Sequence, residues 1–152
     1  MEKIKLTPKV LNSFSGQDLF YSNQKIAQFL NTHLDEFGDS VDDILKCLDY
    51  VFEKNLGKGG FVLLGLIEEE IIGAVVINET GMSKYIPENI LVYIAVHQDY
   101  RGKGLGKQLM EQALKLTKGD VALHVEPDNP AKKLYERLGF TNKYLEMRLV
   151  KD

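Results

Sequence analysis

The residues best equipped for chemistry are Arg101, Gly102, Lys103, Gly104, Leu105, Gly106 and Lys107. Glycines at alternate positions let the backbone turn tightly and keep its N–H groups open to a ligand. Arg101, Lys103 and Lys107 add positive charge, and the apolar spacing that follows starts a helix whose positive end faces the same spot. That is a cradle for an anion such as a phosphate or pyrophosphate. A Walker loop needs four residues between its glycine and Gly-Lys, then Ser or Thr. Gly102 to Gly106 encloses three, and Gln108 follows Lys107. A dinucleotide fingerprint needs glycine at position 107, and that mismatch alone rejects it, because Glu126 could stand in for its ribose-binding acid. The pattern that does fit is R-x-x-G-x-G, as Arg101, Gly104 and Gly106.

A second patterned segment, NPAKKLYERLGF, occupies residues 129–140. Asn129 suits a helix N-cap and Pro130 the first helical position. The two segments resemble the signature motifs of the GNAT superfamily of N-acetyltransferases and together span residues 91–140. The resemblance does not reach residues 1–60, where members differ most and where acceptor specificity is usually set. It implies that the turn at 101–107 binds the pyrophosphate of acetyl-CoA. It also implies two parallel strands that splay at their carboxyl ends to admit the pantetheine arm, with the backbone of Ile94, Ala95 and Val96 pairing with that arm. Asn129 would contact the pantetheine or hold its loop. Tyr135 matches the general acid for the departing sulfur, and an unperturbed phenol, titrating near ~10, stays protonated at neutral pH. It also shares the apolar face of its helix with Ala131 and Leu138, so a core role competes.

Acetyl transfer to an amine sets three tasks: deprotonating an ammonium, stabilising an oxyanion and protonating a thiolate. Candidates for the base are Glu126, the favoured one, with His124, Tyr93 and Glu79 as alternatives. Each has an ordinary reading as a polar residue at a strand end. Spacing among the three His, the single Cys47 and the carboxylates does not suggest a metal site.

These residues need elements to position them. Residues 91–96, almost all apolar and β-prone, read as a strand buried on both faces. Leu105, Leu109, Ala113 and Leu116 form a helical stripe closed by Lys118 and Gly119. Val121, Leu123 and Val125 then alternate with Ala122, His124 and Glu126 as a strand. Strand, helix and strand of these lengths imply a parallel right-handed crossover. Upstream, a short strand is expected over residues 2–7 and an amphipathic helix over 22–37, stopped by Gly38. A second helix should start at Ser40 with Asp43 and run to about Asn55, enclosing Cys47 as a small, partly buried residue. Residues 61–67 and 71–77 read as an antiparallel hairpin. Residues 78–89 form a loop, and Leu145, Met147 and Leu149 alternate with Glu146, Arg148 and Val150 as a closing strand. The expectation is a single α/β domain over residues 1–152. Its central sheet is mixed and mostly antiparallel, with helices on both faces and one parallel βαβ crossover.

With 152 residues, 44% hydrophobic and 27% charged, the composition fits one globular domain. A net charge of −3 gives no global basic field for nucleic acid or anionic membrane. A lone cysteine, no signal-like amino terminus and no apolar run near the roughly 20 residues of a membrane span suit a cytoplasmic protein. The expected activity is acetyl transfer from acetyl-CoA to an amine of a small molecule or a peptide. A non-catalytic acyl-CoA-binding module and an unrelated phosphate binder are the competing classes. One oddity remains: Asp35 and Glu36 fall near the end of the expected first helix, where negative charge is unfavourable. Either they are plain surface or they rim a pocket for a cationic acceptor.

Overall fold

The structure, a computed structural model, describes residues 3–53 and 57–151. Its centre is the apolar hairpin of β2 (Gly60–Ile67) and β3 (Glu70–Glu79), joined by a tight turn in which Glu68 and Glu69 both have positive φ. Both strands are buried almost throughout, as their unbroken apolar runs require. The antiparallel strand β1 (Thr7–Asn12) lies outside β2, and β4 (Asn89–Val96) lies beside β3. β5 (Val121–Leu123) pairs parallel to β4, giving the sheet order β1-β2-β3-β4-β5.

The sheet carries helices on both faces. α1 (Asn23–His33) and α2 (Val41–Val51) cover one, where Ile26, Leu30, Ile44 and Leu48 meet Val62, Leu64, Ala74 and Val76. α3 (Leu105–Leu116) and α4 (Ala131–Arg137) cover the other, where Leu105, Leu109, Met110 and Tyr135 meet Leu63, Ile72, Val75 and Leu91. The cross-strand pair Gly65 and Gly73 leaves a flat spot under α3, and a Cβ on either would run into Leu109. That close approach sets the depth at which α3 lies on the sheet.

Several expected boundaries move. The first strand is Thr7–Asn12 rather than 2–7, with Pro8 inside it, as only an edge strand tolerates; residue 2 lies outside the described residues. α1 stops at His33, because Asp35 takes a φ of 55° and residues 35–37 tighten into a 3-10 turn. α2 starts as expected, with Ser40 Oγ accepting from the Asp43 N–H at 3.2 Å, but ends at Val51; Asn55 lies outside the described residues. β5 stops at Leu123 instead of Glu126, because β4 no longer runs beside it. The closing strand over residues 145–150 does not form: residues 141–151 are exposed and belong to neither helix nor strand. Alternation marks which side chains share a face but supplies no ladder, and among the described residues no hydrogen bond joins this stretch to the sheet.

Candidate active site

The site begins with an irregularity in β4. Val76 faces Tyr93 and Ile77 faces Leu91, so Val92 is an extra residue and the strand bulges there. On its other side β4 pairs with β5 only at Asn89, Ile90 and Leu91. Beyond Leu91 the two parallel strands part. Their amino ends are pinned by the buried Asn89, whose backbone N–H donates to Asp120 O and whose side chain donates to Lys118 O at 2.7 Å. The pair is therefore closed at one end and open at the other.

Strand alternation determines what lines the opening. His97 N–H donates to Ile72 O in β3, which turns the backbone groups of Ile94 and Val96 toward the side β5 has left. The sequence expectation of a splay beside residues 94–96 matches this geometry. Ala95 instead directs its backbone toward β3 and is 5% exposed.

Past β4 the chain turns through Gln98–Tyr100 into the glycine segment. Gly102 and Gly104 both take left-handed conformations, with φ of 75° and 77°, and nothing lies within 4 Å of a Cβ placed on either. These two glycines answer to backbone conformation, with open space in front of them. Gly106 differs, since its Cβ would meet Leu134 at 3.4 Å and Val96 at 3.9 Å. It lets α3 lie against α4 and the end of β4. Gly104 caps α3 without a side-chain hydrogen bond, and the first helical bond runs from Gln108 N–H to Gly104 O. The N–H groups of Leu105, Gly106 and Lys107 therefore remain for an anion. Lys103 is exposed, and Lys107 reaches Glu111 at 3.7 Å along the helix surface.

Arg101 points elsewhere. Its guanidinium donates to Asp35 Oδ2 at 2.7 Å and to His33 O, and its Nε donates to Val96 O at 3.2 Å. It braces the turn against the end of α1. Asp35 also accepts from Gln98 Nε2 at 2.8 Å. The Arg101 hydrogen bond, then that of Gln98, holds its carboxyl below the usual range. The apparent misplacement of Asp35 is resolved, because it lies outside α1 and answers a cation of the turn.

Asn129 Oδ1 accepts from the Ala131 N–H at 2.9 Å, so its side chain shapes the start of α4. Tyr135 packs in the α3 core at 7% exposure, edge-on to Phe140. Burial pushes its pKa up to about 12, which keeps the phenol protonated. Glu126 and His124 are exposed beyond the end of β5. Glu79, opposite Asn89, stands at the closed end of the strand pair.

Tyr93 points to the other face. Its hydroxyl donates to Asp39 Oδ2 at 2.5 Å, and burial first, then Asp39, raises its pKa strongly. It holds its proton and is unsuited to be the base. Asp39 belongs to the acidic stretch 35–43 in the α1–α2 connection, and nothing in the sequence pattern marks it as the partner of Tyr93. Cys47 receives a hydrogen bond from Asn78 Nδ2 at 3.4 Å, and burial raises its thiol to about 11, the behaviour of an inert packed cysteine. A separate surface hollow of about 480 Å³, lined among others by Phe20, Phe29, His33 and His97, touches neither the glycine turn nor β5 nor α4. Among the described residues no group of three or more His, Cys, Asp or Glu is placed to hold a metal ion.

A bulged strand, a parallel neighbour that ends beside it and a glycine turn feeding a helix with free N–H groups together make an open strand edge that leads to an anion site. Residues 58–142, more than half of the chain, match the acetyltransferase (GNAT) domain, and the chain belongs to that family. The 5-NmdU N-acetyltransferase of Pseudomonas phage PaMx11 is 37% identical over 84 residues, 54% of this chain and 58% of that protein. The N-alpha-acetyltransferase 30 of Xenopus laevis is 37% identical over 82 residues, 51% of this chain and 30% of the relative. The match thus spans little more than half of the first relative and under a third of the second. Among solved structures, the NatC complex bound to Gag peptide and CoA superposes with a TM-score of 0.66 at 21% identity, covering 91% of this chain and 86% of that one. At that identity the likeness concerns the fold.

Proposed function

We propose that the protein transfers the acetyl group of acetyl-CoA to a primary amine of a small molecule or a peptide. The observation that carries this reading is the gap between β4 and β5 beyond Leu91, which leads to the unpaired N–H groups at the start of α3. A pantetheine arm replaces the missing strand partner there, taking hydrogen bonds from Ile94 and Val96, and the pyrophosphate meets the N–H groups of residues 105–107. Open space at Gly102 and Gly104 suits a bulky anion. Lys103 and Lys107 add charge at the surface, while Arg101 holds the turn in place through Asp35. Asn129 keeps the α4 loop clear of the arm.

Bound acetyl-CoA supplies a thioester. A backbone N–H at the β4 bulge faces the carbonyl oxygen and stabilises negative charge developing on it. As the neutral amine nitrogen bonds to the acetyl carbon, the carbon–sulfur bond breaks, Tyr135 gives its proton to the sulfur, and the surplus proton of the nitrogen returns through water to the tyrosinate. The earlier proton, whose loss makes the amine neutral, leaves to Glu126, directly or through water; burial and the Asp39 hydrogen bond keep Tyr93 neutral, which disfavours it as the base. The acceptor class follows the relatives, whose names cover 5-NmdU and N-alpha acetylation. The protein works as one domain, in a cytoplasmic setting that suits the unpaired Cys47; no helix among the described residues is long and apolar enough to cross a membrane.

Thiol release measured across a panel of small amines and peptides tests the proposal. Turnover with at least one amine is expected. Tight acetyl-CoA binding in calorimetry without turnover on any acceptor would leave a binding module, and preference for ATP over acetyl-CoA would overturn the assignment.

A further inference from the structure

A histidine with no part in the chemistry holds the chain that leads into the glycine turn. His33 is the last residue of α1, and its Nδ1 accepts the Gln98 N–H at 3.2 Å. Its backbone carbonyl accepts from the Arg101 guanidinium. Beside it, His97 Nδ1 accepts the Asp99 N–H at 3.1 Å and caps the 3-10 turn Gln98–Tyr100. The two imidazoles stack with 4.3 Å between centroids and a tilt of 33°, with Phe29 against His33 and Tyr100 edge-on to His97.

A ring nitrogen accepts a hydrogen bond only while it carries no proton, so His33 in this arrangement is neutral with its proton on Nε2. Protonation puts a hydrogen on Nδ1 against the Gln98 N–H, ends that bond and sets a positive charge beside the His97 ring and Arg101. Burial first, then His97 and Arg101, holds the His33 imidazole below its usual range, against the opposing pull of Asp35 and Asp99. Lys25 of α1 and Glu68, Glu69 and Glu70 at the β2–β3 turn line the hollow that both rings border. There the glutamates favour a charged ring and Lys25 opposes it.

We infer that His33 is a positioning residue for acetyl-CoA: its neutral ring holds residues 98–101 in the conformation that presents the anion cradle, and its protonation releases them. The inference rests on the reading that the turn at 101–107 takes the pyrophosphate. Two contacts from one residue carry it. The ring fixes Gln98 and the carbonyl fixes Arg101, so His33 clamps the segment at its first and last residue. Gly102 and Gly104 follow at once, and Gly104 caps α3 with no side-chain hydrogen bond, so the clamp sets how the chain enters the cradle. A turn released from it populates other conformations, and ligand must restore the bound one.

Calorimetric titration with acetyl-CoA between about pH 5 and 8, beside imidazole and amide spectra of the free protein, tests this. Because His33 titrates below its unfolded value of about 6.5, its contribution is complete above that pH and lost as pH falls through the folded pKa. Asp35, held below the usual carboxylate range, keeps its charge throughout this window. Parent affinity should fall roughly 3–10-fold as His33 gains its proton, the worth of one hydrogen bond, with the Gln98 amide signal following the same titration. His33→Asn offers an amide oxygen near the place of Nδ1 and does not titrate. It should keep parental affinity at the alkaline end and lose the part of the acid limb that follows His33; titration of the ligand's own phosphate is common to every variant. His33→Phe keeps the stack without the acceptor and should bind roughly 3–10-fold more weakly at the alkaline end. An acid limb in His33→Asn identical to the parent's, or parental affinity in His33→Phe, overturns the inference and leaves the acetyl-CoA reading standing. A parent that binds no acetyl-CoA at any pH overturns both. If the variants fail to fold, the parent decides alone: a Gln98 amide that ignores the His33 titration refutes the clamp.

Discussion

Replacing Gly104 by alanine isolates the backbone of the anion turn. Gly104 has φ 77° and ψ 11°, and a Cβ there would touch nothing within 4 Å. The effect is therefore conformational, costing about 1–2 kcal/mol for an L-residue in the left-handed region. A free turn carrying alanine relaxes out of that conformation, and ligand must restore it on binding. One to two kcal/mol corresponds to roughly a 5–30-fold loss of acetyl-CoA affinity. Gly106→Ala is the control: its Cβ faces Leu134 and Val96 rather than the anion, and alanine gains up to ~1 kcal/mol in helix propensity. Its stability should hold or rise slightly, with affinity near parental. A tryptophan at 106 would disturb the packing of α3 on α4. Calorimetric titration with acetyl-CoA, beside thermal unfolding, reads both variants. If Gly104→Ala loses stability yet binds acetyl-CoA like the parent, the turn is structural and the cradle assignment is wrong.

Tyr135→Phe should keep the fold, since the ring does the packing, and lower turnover by roughly 10²–10⁴-fold; unchanged turnover in the thiol-release assay would make the tyrosine purely structural. Asp35→Asn should weaken acetyl-CoA binding through Arg101 and leave the acceptor KM unchanged, the reverse of what an acidic rim requires; steady-state kinetics separates the two. Because Asp35 titrates below its unfolded value, its contribution is present above the ordinary carboxylate range and lost as pH falls through the lowered folded pKa. Acid titrations should show Asp35→Asn lacking that component, and identical acid limbs would deny the brace. Asn89→Leu removes the donor to two carbonyls at the closed end of the strand pair and should cost about 1–3 kcal/mol in denaturant unfolding; a neutral result would mean the pin is dispensable.

Much of this was legible in local pattern. Periodicity located the hairpin, β4 and the four helices, and glycine spacing located the turn, because each signal lies within a few residues of its element. What the sequence hid is non-local. Arg101 reads as a free cation beside a phosphate site, and its partner Asp35 is 66 residues away. Tyr93 reads as a possible base until Asp39, 54 residues distant, is seen to hold its hydroxyl. Local pattern also cannot say whether a strand finds a neighbour. Residues 145–150 alternate as well as β5 does, but only β5 lies beside another strand.

The most direct measurement is an amide spectrum of the protein titrated with acetyl-CoA. The account predicts that the N–H signals of Ile94, Val96, Leu105, Gly106 and Lys107 shift together and become protected from exchange, while those around Phe20 and Phe29 stay still. Perturbation centred on the hollow lined by Phe20 and Phe29, with Ile94, Val96 and residues 105–107 unmoved, would contradict it.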